Sequence, residues 1–261
     1  MNKISAVIIT YNEEKNIGRC IKSISDIADE IIVLDSFSTD KTEKICRQYN
    51  IKFFQHKFDG HIQQKNRAID LASNKYVLSL DADEALSDTL KQSIQAVKKD
   101  LTKYDAYSFN RLTNYCGKWI KHGGWYPDTK IRLWNKEKGK WGGTNPHDKV
   151  IMENNSKIKH LKGDLLHYSY YSISQHIQQI DKFTTIGAKE VVAKGKTSSL
   201  FKAIYKSVWK FIRDYIIKLG FLDGYHGFVV YYLSAVATFI KYIKVKEYKK
   251  NSTSFLSSYS E

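Results

Sequence analysis

The stretch YVLSLDADEALS (residues 76–87) runs an apolar segment, Tyr76 to Leu80, straight into Asp81, Asp83 and Glu84. Like charges at this spacing repel, and carboxylates are costly where water is scarce. A solvated acidic turn satisfies the pattern; a bound cation satisfies it too, by removing the repulsion. Two more polar groups stand where apolar runs end. Thr10-Tyr11-Asn12-Glu13 follows ISAVII, and Asp35 closes EIIVLD (30–35).

The elements that must position these groups alternate. ISAVIIT (4–10) is β-branched and apolar throughout, as expected of a strand buried on both faces. In EEKNIGRCIKSISD, Ile17, Cys20, Ile21 and Ile24 recur at helical spacing and form one buried stripe. EIIVLD predicts a second strand. Ser38 or Thr39 is expected to cap the next helix, with Asp40 and Glu43 in its first turn. Strands are expected at 51–57 and 75–81, helices at 62–73 and after the Ser87 cap, where Leu90, Ile94 and Val97 share a face. This alternation predicts parallel strands with right-handed crossovers. Ligands of such sheets bind at the carboxyl ends of strands, where all three polar clusters fall. Neither GxGxxG nor GxxxxGK[ST] follows any of these strands, so the two common phosphate cradles are absent. A divalent cation held by Asp81 and Asp83 would neutralise a phosphate there instead.

Residues 104–152 are dense in Tyr, Trp, Gly and His, with short strand patterns (DAYSFNR, KIRLWN) between glycine turns. Residues 172–194 predict a helix capped by Ser172. Residues 200–218 interleave Phe201, Ile204, Tyr205, Val208, Trp209 and Ile212 with Lys202, Lys206, Lys210 and Arg213, a basic amphipathic helix. The following segment (221–244) has a clean apolar run, Phe228–Ile240, below the roughly 20 residues needed to span a bilayer; a buried or interface-lying helix is expected. The last dozen residues are polar and expected to be disordered. The chain is thus divided into 1–103, 104–171, 172–248 and a tail, 249–261.

The chain has 261 residues and a formal net charge of +15, with 14 Lys/Arg against 5 Asp/Glu between Asp181 and Lys250. A basic excess suggests a polyanionic partner. Its concentration in an amphipathic segment points to an anionic membrane surface. A nucleic-acid-binding protein, suggested by the charge and the interleaved aromatics, is the alternative reading; against it, carboxylates occupy the edge where a nucleic acid would need positive charge. A nucleotidyltransferase is disfavoured because TYNEEKN is not a glycine- and arginine-rich loop. Three widely spaced cysteines, Cys20, Cys46 and Cys116, indicate a reducing compartment and neither a disulfide framework nor a zinc site. The N-terminal apolar run is too short for a signal peptide. The expected location is the cytoplasm, peripherally on the inner face of the membrane.

SAVIITYNEEKNIGRCIKSI, EIIVLDSFSTDKT, QQKNRAIDLA and YVLSLDADE, in that order, resemble inverting family 2 glycosyltransferases. GGWYPDTKIRLWNKEKGKWGG, PHDKV and GFLDGYHGFVVYYLSAVATFIKYIK resemble the subgroup that includes lipopolysaccharide-core β-glucosyltransferases. The resemblance implies an α/β GT-A fold: a Rossmann-like, mostly parallel sheet with helices on both faces, here followed by a membrane-associating helical segment. It implies a nucleotide-sugar donor, UDP-linked and best guessed as UDP-glucose, and a glycan or glycolipid acceptor. Asp81-Ala82-Asp83 corresponds to the motif that holds Mg2+ or Mn2+ on the donor diphosphate, with Asp81 and Asp83 as ligands. Thr10, Tyr11 and Glu13 fall where the family contacts the nucleotide, and Asp35 where it contacts the base. Lys65 falls where many relatives carry Arg, and as a point charge it would neutralise phosphate. The subgroup's His-Glu pair corresponds to His147-Asp148, which makes Asp148 the expected base and Asp128 its rival.

Overall fold

The computed structural model describes residues 2–144 and 147–257. The chain divides into two compact units, 1–112 with 128–168, and 113–127 with 169–261.

In the first unit, the elements follow the expected alternation: β1 (Ile4–Thr10), α1 (Ile17–Ile24), β2 (Glu30–Asp35), α2 (Thr42–Cys46), β3 (Lys52–Gln55), α3 (His61–Asp70) and β4 (Tyr76–Asp81). A short β5 (Glu84–Leu86) leads into α4 (Asp88–Lys98), whose Ser87 cap accepts from the Leu90 amide. Along the chain then come β6 (Ala106–Tyr115), β7 (Lys118–Trp119, which belongs to the second unit), β8 (Asp128–Asn135), a hairpin of β9 (Gly139–Thr144) and β10 (His147–Met152), and β11 (Ile158–Tyr170). The main sheet runs β3-β2-β1-β4-β8-β6-β11-β5. Strands β3, β2, β1 and β4 are parallel, whereas β8 joins β4 and β6 antiparallel and β11 joins β5 antiparallel. This is the GT-A arrangement, a parallel nucleotide-binding half continued by an antiparallel part.

Alternate residues of β1 supply both faces of the sheet. Ile4, Ala6 and Ile8 pack with Ile17, Cys20, Ile21 and Ile24 of α1 and with Leu90 and Ile94 of α4. Val7 packs on the other face with Ala68 and Ile69 of α3, Trp134 and Trp141. Each such buried aliphatic side chain contributes about 1.5–3 kcal/mol, so the strand ends are held rigidly.

Neither Ser38 nor Thr39 caps α2, which begins at Thr42 after Lys41. Those residues instead stitch two loops together: the Asn12 amide donates to Ser38 Oγ at 2.8 Å, and the Thr39 amide to Asn12 Oδ1 at 2.8 Å. Asp40 Oδ1 accepts from the Thr42 amide at 2.9 Å and so takes the capping role.

The second unit is largely helical: α5 (Ile173–Ala193), α6 (Leu200–Phe211) and α7 (Gly224–Ser257), with α7 packed along both others. The single helix expected over 200–218 changes pitch into a π-helical turn, Ile212–Ile217. That wider turn carries Asp214 to a buried position, where Lys210 Nζ (2.9 Å) and Arg213 Nε (2.7 Å) neutralise it. Asp223 is also buried and accepts from the Lys121 and His122 amides and from His122 Nδ1. The loop they anchor needs Gly123, which has φ +74° and leaves no room for a Cβ beside the Tyr231 ring.

Helix α7 continues through Ser257, past the residue 249 at which a disordered tail was expected; 258–261 lie outside the described residues. The stretch Gly220–Lys249, 30 residues at a mean hydropathy of 1.4 in its most apolar window, is long and apolar enough to cross a membrane by length and composition. The 13-residue count missed this because Gly227 does not interrupt α7, which begins at Gly224.

Candidate active site

Strand register brings the three polar clusters to one edge. Thr10 lies opposite Asp35 on β2, and Ile9 lies opposite Asp81 on β4. Thr10 is buried, and its Oγ1 has no hydrogen-bond partner among the described residues. Tyr11 beside it is 57% exposed, which leaves an aromatic side chain able to stack on a planar ligand. Asp35 is fully buried and turned into its own loop, where it accepts from the Ser38 amide at 2.8 Å and Gln55 Nε2 at 3.2 Å.

The carboxylates of β4 and β5 meet protein cations. Lys65 on α3, only 4% exposed, places Nζ 3.0 Å from Asp81 Oδ1 and 2.8 Å from Asp148 Oδ2 on β10. Arg132 on β8, also buried, places Nη2 3.2 Å from Asp81 and 2.6 Å from Glu84. Glu84 in turn accepts from the Asp81 amide at 3.0 Å. Trp141 roofs the array, with Lys65 Nζ 4.3 Å and the Arg132 guanidinium 5.0 Å from its ring. Burial alone would raise the Asp81 pKa, but Lys65 and then Arg132 outweigh it and hold the carboxyl well below its usual range. Arg132 is likewise held charged: burial opposes the charge, and Glu84 and Asp81 overcome it.

The conflict among Asp81, Asp83 and Glu84 is therefore settled in part without any metal. Lys65 and Arg132 neutralise Asp81 and Glu84, while Asp83 faces His167 Nε2 of β11 at 3.1 Å. Glu13 carries a different environment. Burial pushes its pKa up to about 7, against the Asn16 hydrogen bond and with help from Asp83, Asp40 and Asp81. Among the described residues no three His, Cys, Asp or Glu side chains converge as a complete metal cage. The donor set still suits a hard cation that a diphosphate also ligates: Asp81 and Asp83 offer carboxylate oxygens, and His167 lies beside Asp83.

The structure thus brings Lys65, Asp81 and Asp148 into one ionic chain, although Lys65 and Asp148 are 83 positions apart. Asp83 and Glu13 lie on the same edge, and Ala82 is buried between the two aspartates. Asp128 is placed elsewhere along the chain of charges, bound by Arg111 (2.8 Å) and Lys130 (2.8 Å), with Arg111 3.8 Å from Glu84. The side chain of His147 lies outside the described residues. Sequence reasoning missed Arg132, Trp141 and His167 and left Glu84 without a partner. A charged residue alternating with apolar ones in KIRLWN was the available signal for Arg132; nothing in the sequence pairs His167 with Asp83.

Carboxylates gathered at the strand ends of a GT-A sheet set the class of protein to compare it with, the glycosyltransferases. Residues 5–153 match the model of glycosyl transferase family 2, and the chain belongs to that family. It is 34% identical to an uncharacterized glycosyltransferase of Rickettsia typhi, over 99% of this chain and 91% of that protein. It is 27% identical to the lipopolysaccharide core biosynthesis glycosyltransferase LpsC of Rhizobium meliloti, over 93% of this chain and 91% of that one. Among solved structures, that of S. aureus TarS 1–349 matches with a TM-score of 0.46 and 18% identity, covering 70% of this chain and 64% of the other.

Proposed function

We propose that this family 2 glycosyltransferase is an inverting, metal-dependent hexosyltransferase. It moves a hexose, best assigned as glucose, from a UDP-sugar to a lipopolysaccharide-core or other lipid-linked glycan at the inner face of the cytoplasmic membrane. The observation that carries the reading is the Asp81–Lys65–Asp148 chain, which sets a candidate base beside the cation of the donor edge. The full-length likeness to LpsC supports the acceptor class.

In this reading residues 1–103 hold the nucleotide sugar, with Thr10, Tyr11, Glu13 and Asp35 at the nucleoside end and Asp81, Ala82 and Asp83 at the diphosphate. Residues 104–171 receive the acceptor. Asp148 takes the proton of the acceptor hydroxyl as its oxygen attacks the anomeric carbon from the face opposite the diphosphate, so the configuration inverts. The bond to the diphosphate breaks in the same step. Lys65 meets the charge growing on the leaving oxygen, and its move toward phosphate frees Asp148 to act. Mg2+ or Mn2+, held by Asp81 and Asp83, would supply further charge neutralisation to the diphosphate. Asp128, paired with Arg111 and Lys130, is the weaker base candidate.

Residues 172–248 hold the chain to an anionic leaflet. The support is a row of exposed apolar side chains on α6 (Phe201, 80% exposed, then Ile204, Tyr205, Val208 and Trp209), flanked by exposed Lys202 and Lys206. A screen of UDP-glucose, UDP-galactose, UDP-N-acetylglucosamine and GDP-mannose, with and without Mg2+ or Mn2+, tests the donor assignment. Turnover of UDP-glucose above the rest is expected, and full activity in EDTA would sink the metal-dependent mechanism.

A further inference from the structure

Across β11 from the donor edge lies a second, cationic hollow in the first unit. His167 and Tyr168 are consecutive, so they point to opposite faces of the strand; His167 meets Asp83, and Tyr168 walls a cavity of about 450 Å3. Arg19, Lys22, Ser23 and Lys91 line it together with apolar Leu86. The Arg19 guanidinium sits over the Tyr168 ring, Cζ 3.5 Å from its centroid. Such a contact holds the planar fork while leaving its edge donors for an oxyanion. Arg19 Nη1 is buried with no hydrogen-bond partner among the described residues, an expense that native structures rarely tolerate without a ligand or water. Lys22 is exposed and makes no ion pair among the described residues; Lys91 has only a loose contact, 3.6 Å, with the exposed Asp88.

We infer that this hollow binds the phosphate monoester group of a phosphorylated ligand, at a site separate from the donor site. Three cations against one loosely held carboxylate leave the excess positive charge that a phosphate dianion matches. Arg19 supplies planar, two-point donors and Lys22 and Lys91 supply mobile point charges. The cavity falls in the range of small-molecule pockets and is larger than a bare phosphate needs. Its apolar wall, Leu86 with Ala85 and Leu166, fits the organic part that carries the phosphate.

The test titrates inorganic phosphate, then glycerol phosphate, into the full-length protein. EDTA is present and ionic strength is held constant with chloride, so that metal-bridged binding at Asp81 and Asp83 cannot contribute. Saturable binding is expected, tighter for glycerol phosphate, unchanged by Lys65→Met, which removes the buried cation of the donor edge, and weakened about tenfold or more by Arg19→Gln. Arg19→Lys should weaken it less, since charge survives and the fork does not. Lys22→Gln with Lys91→Gln, both at the surface end, gives the same loss without touching the Arg19–Tyr168 pair, so misfolding of an Arg19 variant cannot hide the answer. Vesicles carrying phosphatidic acid, compared with phosphatidylglycerol, separate the sources. An Arg19-dependent preference for phosphatidic acid identifies a lipid headgroup, and its absence alongside Arg19-dependent glycerol phosphate binding identifies a soluble ligand. No saturable binding, a loss in Lys65→Met as large as in Arg19→Gln, or equal binding by all the variants would overturn the site.

Discussion

Lys65→Met keeps the length and apolar stem of the side chain and removes its charge. In the folded protein Nζ sits 3.0 Å from Asp81 and 2.8 Å from Asp148, almost entirely out of water. At an effective dielectric of 20, each contact is worth at most about 6 kcal/mol, and the ammonium's own desolvation offsets much of that. Removing one partner from a buried charge cluster typically costs about 3–5 kcal/mol, because the remaining charges stay buried. Arg132 still serves Asp81 here, so the expected loss is at the lower end, about 3 kcal/mol, with a fall in Tm of roughly 5–10 °C for a chain of this size. The sign with pH follows from Asp81, whose folded pKa is depressed. Its contribution is present above the ordinary carboxylate range and is lost as pH falls through the depressed value. The gap between wild type and variant should therefore be widest near neutrality and close on acidification. Denaturant unfolding across pH, in metal-free buffer, measures it, and Lys65→Arg should recover part of the loss. A neutral-pH difference under about 1 kcal/mol, or one that does not shrink in acid, would refute the claim that Lys65 neutralises both carboxylates.

Asp148→Asn should lower kcat about 100-fold or more with little change in donor affinity; normal turnover in this variant together with a dead Asp128→Asn would exchange the two roles. Asp83→Asn should nearly abolish transfer without unfolding the chain, and EDTA should reproduce that loss in the wild type. Because the folded pKa of Glu13 is raised to about 7, the metal-free protein should lose stability as pH rises from the ordinary glutamate range through that value. Glu13→Gln removes the dependence and should be the more stable form by roughly 1–3 kcal/mol above neutrality, equal to wild type in acid; thermal melts decide it. Finally, Leu200→Ser with Phe201→Ser, at residues 56% and 80% exposed, should weaken binding to anionic vesicles while leaving Tm unchanged. Resistance of the wild type to alkaline carbonate extraction would instead indicate that α7 spans the bilayer.

The parallel half was legible because its signals are local. A β-branched run such as Ile4–Thr10 can only be buried on both faces, and the stripe Ile17, Cys20, Ile21, Ile24 can only pack against it. The helix caps were legible at Ser87 and Ser172, whose hydroxyls accept from the Leu90 and Gln175 amides. They were misread at Ser38 and Thr39, because Asn12 competes for both groups from another loop. The apolar reach of α7 was underestimated because a count of uninterrupted residues breaks at polar or small ones, whereas a helix does not.

The order of residues along single strands determined that Thr10, Asp35 and Asp81 would stand at one carboxyl edge, since parallel pairing leaves their register little choice. It did not determine which charges neutralise one another. Lys65, Arg132 and Asp148 come from a helix, an antiparallel strand and a hairpin far apart in the chain, and His167 reaches Asp83 across 84 positions. Ion pairing in a low-dielectric interior depends on distance and on the exclusion of water. Both are set only when those elements pack around Trp141 and the end of β4.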